Sequence, residues 1–413
     1  MTLTMSTIDL YPYQLEAIDK MKNGCILCGG VGSGKSRTGL AYYYKLMGGS
    51  LNGSPMKHPK QLYIITTARK RDTKEWEVDL KPFGLSCLMP LNGYSQVVVD
   101  SWNNIKKYVN ITDSFFIFDE QRVVGWGTWT KSFLKITKAN QWILLSATPG
   151  DTWSDYMPVF IANGYFKNKT QFNAEHVVFK RFSTYPIIDR YLNVGKLIKC
   201  RNEILVDMKY SRKAEQHHVD ILCEYNTELY KQSLKDQWDY ENDIPVESAS
   251  EMCYVLRKIV NSDESRKKAI LDIYSKHRKI IIFYSFDYEL DILRNMPWGI
   301  DAVVHEWNGH KHQPIPNCIN WVYLVNYAAG AEGWNCVATD TMIFYSQQYS
   351  YKQLVQACGR IDRLNTSYND LYYYHLWSHA SIDITIRRAL KNKKTFNERD
   401  FVKIRSQKTQ GLL

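Results

Sequence analysis

Gly29-Gly30-Val31-Gly32-Ser33-Gly34-Lys35-Ser36 is the stretch on which the reading of this chain turns. A glycine, four free positions and then Gly-Lys-Ser is a phosphate-cradling pattern. Glycines let the backbone wrap a polyphosphate closely, so that several N–H groups point at the anion. Lys35 is placed to reach terminal phosphates and the Ser36 hydroxyl to ligate Mg²⁺. The flanks agree. Cys25 to Cys28 is a short apolar run suited to a buried strand, and Ser36 to Met47 has helical spacing, with an N-terminus facing the anion.

A length of 413 residues fits two domains better than one, and 45% apolar residues suffice for packed cores. No apolar run approaches the roughly 20 residues a membrane span requires. Met1 to Asp9 has neither a basic nor an apolar signal region, which points to a cytoplasmic chain. The nine cysteines are scattered. Cys25 and Cys28 would face opposite sides of a strand, so small core residues are expected rather than a redox or zinc pair. Lys and Arg exceed Asp and Glu by 53 to 42, a net +11, which is compatible with a polyanionic partner.

Several further stretches carry chemistry. Gln14, in Pro12-Tyr13-Gln14, offers a donor and an acceptor that suit an adenine edge, and Tyr13 an aromatic ring to stack on it. Gln61 to Thr67 reads as a strand followed by Arg69, Lys70 and Arg71. That basic run suits either a ligand at the sheet edge or a solvated face. Val97 to Val99 repeats the pattern, ending in Asp100-Ser101-Trp102. Ser114 to Phe118 is apolar enough for a central strand and delivers Asp119 and Glu120. In a chain with a phosphate loop, such a pair serves Mg²⁺ through water (Asp119) and activation of the attacking water (Glu120). Trp142 to Leu145 ends in Ser146-Ala147-Thr148-Pro149.

The alternation of strands and helices loosens near residue 195. This divides the chain into an N-terminal ATP-binding domain, 1–195, and a second domain, 196–413. Lys209 to Tyr240 is read as polar and helical, within a helical segment at about 207–260. Glu241 to Pro245 is read as a loop and Ser248 to Val260 as a helix. A second strand–helix series runs from Lys279. It includes Ile280 to Tyr284 followed by Ser285, Trp321 to Val325 followed by Ala329 to Asn335, and Met342 to Tyr345 followed by Gln356 to Arg363. Arg360 and Arg363, three apart, share one helical face or turn.

Together these pieces resemble the superfamily-two helicases, and most nearly their Swi/Snf-type double-stranded DNA translocase branch. PYQ (Pro12 to Gln14), GSGKS (Gly32 to Ser36), DEQR (Asp119 to Arg122), SATP (Ser146 to Pro149), IIIFYSF (Ile280 to Phe286), AGAEGWN (Ala329 to Asn335) and QACGRIDR (Gln356 to Arg363) occur in the family's order. The resemblance implies an α/β fold of two tandem RecA-like domains, each a mainly parallel sheet flanked by helices, with the ATP site in the cleft between them. It implies ATP and Mg²⁺ as cofactors. Catalysis would fall to Lys35, Asp119, Glu120 and two arginine fingers, Arg360 and Arg363. ATP would be bound by Tyr13, Gln14, Gly32, Ser33, Gly34, Lys35, Ser36, Arg37, Gly333 and Asn335, and the metal by Ser36 and Asp119. Thr67, Arg69, Ser101, Trp102 and Ser285 would contact nucleic acid. The implied protein is a monomeric DNA-stimulated ATPase acting on duplex or branched DNA, alongside replication or recombination proteins. Its lean core resembles phage or bacterial members. Gln121 and Arg122 depart from the branch, which usually has a small residue and His there. Two other readings stay open: a helicase unwinding single-strand DNA or RNA, with Trp126, Trp129 and Trp334 as stacking platforms, and an ATP-switched clamp or annealing module.

Overall fold

Strands form where the sequence concentrates aliphatic and aromatic residues, and both large sheets are parallel and covered on both faces. The computed structural model describes residues 8–87, 97–120, 123, 125–182, 185–209, 214–330, 336–363 and 366–398. The chain divides into one unit built on Met1–Ser211 and another on Arg212–Thr395.

In the first unit, β1 (Ile26–Cys28), β2 (Leu62–Thr66), β3 (Val97–Ser101), β4 (Phe115–Asp119) and β5 (Gln141–Ser146) form a sheet. It is completed by a late strand, which follows a small antiparallel hairpin of β6 (Val177–Phe179) and β7 (Ile188–Tyr191). That late strand is β8 (Leu205–Asp207), and the sheet order is β3-β2-β4-β5-β1-β8. Side chains alternate between the two faces. Leu27, Ile64, Phe115, Ile117, Ile143 and Leu145 enter one core. Ile26, Ile65, Phe116, Phe118, Trp142 and Leu144 enter the other. Burial of each such side chain contributes about 1.5–3 kcal/mol, which is why near-continuous apolar runs are confined to these central strands. Because β8 pairs with β1 (Ile26↔Leu205 to Cys28↔Asp207), the first unit extends past residue 195, where the sequence pattern loosens.

The second unit contains β9 (Glu215–Cys223), a two-stranded ribbon of β10 (Trp238–Asp239) and β11 (Ile244–Pro245), β12 (Lys279–Tyr284), β13 (Val303–Trp307), β14 (Trp321–Asn326), β15 (Thr341–Phe344) and β16 (Asp370–Ser378). Its large sheet runs β13-β14-β12-β15-β16-β9, parallel throughout. Both units are RecA-like α/β folds in tandem. Two local expectations are corrected. The stretch 209–240 is not uniformly helical, since β9 occupies Glu215–Cys223 ahead of a helix at Thr227–Asp236. Residues 241–245, read as a loop, contribute β11 to the small ribbon. The helix expected over 248–260 is present as Ala249–Asn261, with Ser248 capping it by accepting from Glu251 N.

Among the described residues no helix is long and apolar enough to cross a membrane. Cys25 and Cys28 are free thiols, and burial pushes them up to about 11 and about 12 respectively, as suits core positions rather than reactive ones.

Candidate nucleotide-binding site

Parallel pairing brings the strand ends of the first sheet to one edge, and its register fixes which residues meet there. Cys28 pairs with Ser146 and Leu145 with Asp119. Ile65 pairs with Phe118, so Thr66 stands beside Asp119, and Thr66 pairs with Ser101. The phosphate-type loop, the acidic pair and the Ser146–Thr148 stretch therefore emerge side by side, where ligands of open parallel sheets bind.

The loop leaves β1 and enters the helix Lys35–Leu46 through Gly34, whose φ is 78°. Gly32 has φ 80°. A Cβ on Gly34 would lie 2.4 Å from Gln14 Nε2, so a larger residue there would displace the Gln14 amide from its bond to Gly34 O. The first-turn N–H groups of the helix have no partner within it and face the loop's concavity. Gln14 is buried. Its Nε2 donates to Gly34 O at 3.3 Å, and its Oε1 accepts from Tyr11 N at 2.9 Å. Tyr13 donates its hydroxyl to Ser33 O at 3.1 Å. Both residues of the Pro-Tyr-Gln motif thus brace the loop directly.

Lys35 Nζ donates to Gly29 O and Gly30 O, each at 2.7 Å. Burial pushes its ammonium below the ordinary lysine range, against the pull of Glu120, and more weakly Asp119, in the opposite direction. A half-buried ammonium held by its own loop's carbonyls, within the field of two carboxylates, suits an anion carrying a divalent cation. Two hydroxyls point the same way. Ser33 Oγ and Thr148 Oγ1 are buried without a hydrogen-bond partner among the described residues, a rare condition for buried polar atoms. The residues present therefore fit a polyphosphate with Mg²⁺.

Asp119 is 3% exposed at the end of β4. Its Oδ2 accepts from Thr66 Oγ1 at 2.8 Å and from Lys70 Nζ at 2.9 Å, while Trp102 Nε1 donates to its backbone O at 2.9 Å. Glu120 follows with φ 60°, a left-handed conformation costing a residue with a side chain about 1–2 kcal/mol. Such strain persists where the surroundings impose it, and here it turns the chain sharply at the strand end. Lys70 lies 3.8 Å from Glu120 Oε1. Burial alone would lower the Lys70 ammonium, but Asp119 and Glu120 outweigh burial and hold it above the ordinary range. Farther out, burial pushes the Asp79 carboxyl up while Arg37 and Lys70 draw it down. The sequence marks Lys70 only as one of a basic run and Thr66 only as part of a strand, without tying either to Asp119. The signal available was the basic run 69–71 directly after a strand end, which fits solvent equally well.

The residues expected to contact nucleic acid are spread over both units. Thr67 caps the short helix Ala68–Asp72 by accepting from Lys70 N at 3.3 Å. Arg69 is half-buried in that helix. Ser101 Oγ accepts from Arg71 Nη1 at 3.2 Å, and the same guanidinium reaches Asp100 at 3.1 Å. Trp102 is buried against Phe118, its indole N–H committed to Asp119 O, so it serves the core. Trp126 and Trp129 are half-buried against the same core. In the second unit, Ser285 Oγ accepts from Gln348 Nε2 at 2.6 Å and lies 3.0 Å from Ser346 Oγ. Beneath it, Glu289 is wholly buried and accepts from Ser285 N at 2.7 Å and Asn261 Nδ2 at 2.8 Å. Burial pushes the Glu289 carboxyl up, against the Ser285 N–H, the charge of Arg257 and the Ser346 hydroxyl.

Arg360 is buried and Arg363 half-buried, but the helix Tyr351–Cys358 ends before both, so they sit in the turn and loop that follow rather than on a helical face. Cys336 N donates to Arg360 O at 3.0 Å. Gly333, Asn335 and Trp334, with Gln121 and Arg122, lie outside the described residues.

No family model matches this chain, and neither does any curated protein. Among solved structures, the SWI2/SNF2 ATPase core of Sulfolobus solfataricus in complex with dsDNA is similar at 15% identity, over 96% of this chain and 94% of that one, with a TM-score of 0.41. A likeness at that level leaves the functional reading to the chain's own residues.

Proposed function

We propose that this chain is an ATP-dependent DNA translocase or helicase of superfamily two, akin to the Swi/Snf-type branch, acting on duplex or branched DNA. The observation that supports it most is the meeting at one sheet edge of a glycine-bent loop, its half-buried lysine and two carboxylates ending a central strand. That constellation serves phosphoryl transfer to water.

The loop N–H groups and Lys35 would bind the phosphates, Lys35 exchanging the Gly29 and Gly30 carbonyls for phosphate oxygens. Ser36 and, through water, Asp119 would hold Mg²⁺, which would supply positive charge to offset that of the phosphates. Thr66 fixes the Asp119 carboxylate by its hydrogen bond. Glu120 would orient the attacking water and take its proton on a carboxylate oxygen. Arg360 and Arg363 would stabilise transition-state charge, a role that can be worth ~10³-fold or more in rate. Gln14 and Tyr13 hold the loop that binds phosphate, and would place an adenine beside it.

Movement along DNA would follow from ATP-dependent closing and opening, with backbone contacts that make binding independent of sequence and sensitive to salt. The test is displacement of a triplex-forming strand from an intact duplex, run beside unwinding of a forked duplex. ATP-dependent triplex displacement is expected. Fork unwinding without triplex displacement, with ATPase stimulated only by single strands or RNA, would replace this reading with that of an unwinding helicase.

A further inference from the structure

The edge of the second sheet gathers three side chains of metal-ligand type. β9 opens with Glu215-Gln216-His217, and the two-residue period of a strand puts Glu215 and His217 on one face. The parallel register against β16 then sets Asp370 opposite Glu215 and Tyr372 opposite His217. His217 Nε2 lies 2.7 Å from Asp370 Oδ1. One ligand atom from each of Glu215, His217 and Asp370 falls within 4.8 Å of the other two.

Two features go beyond an ordinary surface ion pair. The first is that the imidazole is held in place. It stacks on the Tyr372 ring with centroids 5.1 Å apart, and that ring is itself contacted by His277 at 5.4 Å and Tyr374 at 6.4 Å. A ligand locked by packing needs little further ordering to bind an ion. The second is the charge. Two carboxylates face each other across one strand spacing, His217 pairs with Asp370, and Glu215 forms no ion pair among the described residues. A doubly charged cation between them would meet both. Ligand atoms about 2.0–2.2 Å from one ion stand roughly 3–3.5 Å apart, so His217 and Asp370 need part by less than about 1 Å while Glu215 draws in. Glu215 and Asp370 are exposed, which lets their carboxylates turn and leaves room for water as a fourth ligand. The donors also select the ion. An imidazole nitrogen beside carboxylate oxygens suits first-row transition ions, whereas Mg²⁺ and Ca²⁺ favour oxygen alone.

We propose that Glu215, His217 and Asp370 bind a divalent first-row transition ion that clips the edge strand β9 to β16. β9 is the outermost strand of its sheet and pairs on one side only. Such strands fray readily, and a metal clip at its first residues would secure the start of the second unit. The phosphate loop and the Asp119–Glu120 pair supply none of these ligands, so the clip stands or falls independently of the ATPase reading.

The experiment uses the full chain, reduced and without nucleotide, titrated with Zn²⁺ in excess Mg²⁺ and followed by calorimetry. Loss of a residue that merely supports a metal ligand costs about 10–100-fold in affinity, so His217→Ala and Asp370→Asn should each weaken the tightest Zn²⁺ binding about tenfold or more. Hydrogen exchange gives the second readout. Zn²⁺ should slow amide exchange at residues 215–219 in wild type and leave it unchanged in both variants. Asp370→Asn keeps the shape of the side chain and a partner for His217, so its loss of binding cannot be laid to a damaged fold. Equal Zn²⁺ affinity in wild type and both variants would leave His217 and Asp370 as an ion pair only and overturn the inference. Zn²⁺ protection confined to other segments, such as those bearing the cysteines, would overturn it too, as would displacement of Zn²⁺ by the excess Mg²⁺.

Discussion

Lys70 Nζ lies 2.9 Å from Asp119 Oδ2 and 3.8 Å from Glu120 Oε1. One ammonium thus hydrogen-bonds Asp119 and lies within ion-pair distance of Glu120, offsetting one of the two negative charges that would face the divalent cation. Lys70→Ala leaves Asp119 buried with Thr66 as its remaining side-chain donor, at a cost of about 1–3 kcal/mol in stability. Added Mg²⁺ should raise the melting temperature of K70A more than that of wild type, because the ion meets no competing lysine there. Equal Mg²⁺-dependent shifts would show that Lys70 and the ion do not share the carboxylate.

Binding and chemistry should separate along the strand-end pair. Glu120→Gln should retain ATP binding, since Asp119 remains, and lose hydrolysis, whereas Lys35→Ala should weaken both. Arg360→Ala or Arg363→Ala should lower turnover far more than nucleotide affinity. Fluorescent-nucleotide titration beside steady-state turnover distinguishes the cases. Wild-type turnover by E120Q would remove Glu120 from its role.

Gly34→Ala places a Cβ 2.4 Å from Gln14 Nε2 at a φ of 78°. The left-handed backbone alone costs about 1–2 kcal/mol. A lower melting temperature and weaker nucleotide binding are expected, and adding Gln14→Ala should recover the steric part only. Full recovery in the double variant would mean that the φ angle imposes no cost.

Alkaline pH should loosen the fold. Burial pushes Tyr42 and Tyr284 up to about 12 from the ordinary value near 10. A pKa raised in the folded state gives stability that is full below pH 10 and is lost as pH climbs towards 12. Replacing both with Phe should flatten the fall in melting temperature across this window. Parallel curves for wild type and double variant would assign the alkaline loss to other groups.

The readable parts of this fold were those whose physics is local. Phe115 to Phe118 and Ile280 to Phe283 are buried on both faces, so their composition alone marks central strands. The Gly29–Ser36 loop is legible because Gly32 and Gly34 take left-handed φ values that favour glycine. β9 escaped notice because it is an edge strand. Glu215, Val219, Asp220 and Leu222 are exposed, so its Glu-Gln-His-His start has no inward-facing pattern. β8 is three residues long and owes its place to pairing with β1, from which some 180 residues of chain separate it. Lys70 illustrates the same limit at the site. Its partner Asp119 is 49 residues away, and only the register of β2 against β4 brings them together.

ATP hydrolysis by the full chain, measured alone and then with blunt duplex DNA, single-stranded DNA and RNA, tests the central claim most directly. Slow turnover alone is expected, with stimulation by duplex at least as large as by single strands. E120Q should abolish the activity, and rising salt should diminish the stimulation because less is gained from releasing counterions into a saltier solution. Turnover indifferent to every nucleic acid, or stimulated by RNA or single strands alone, would contradict it.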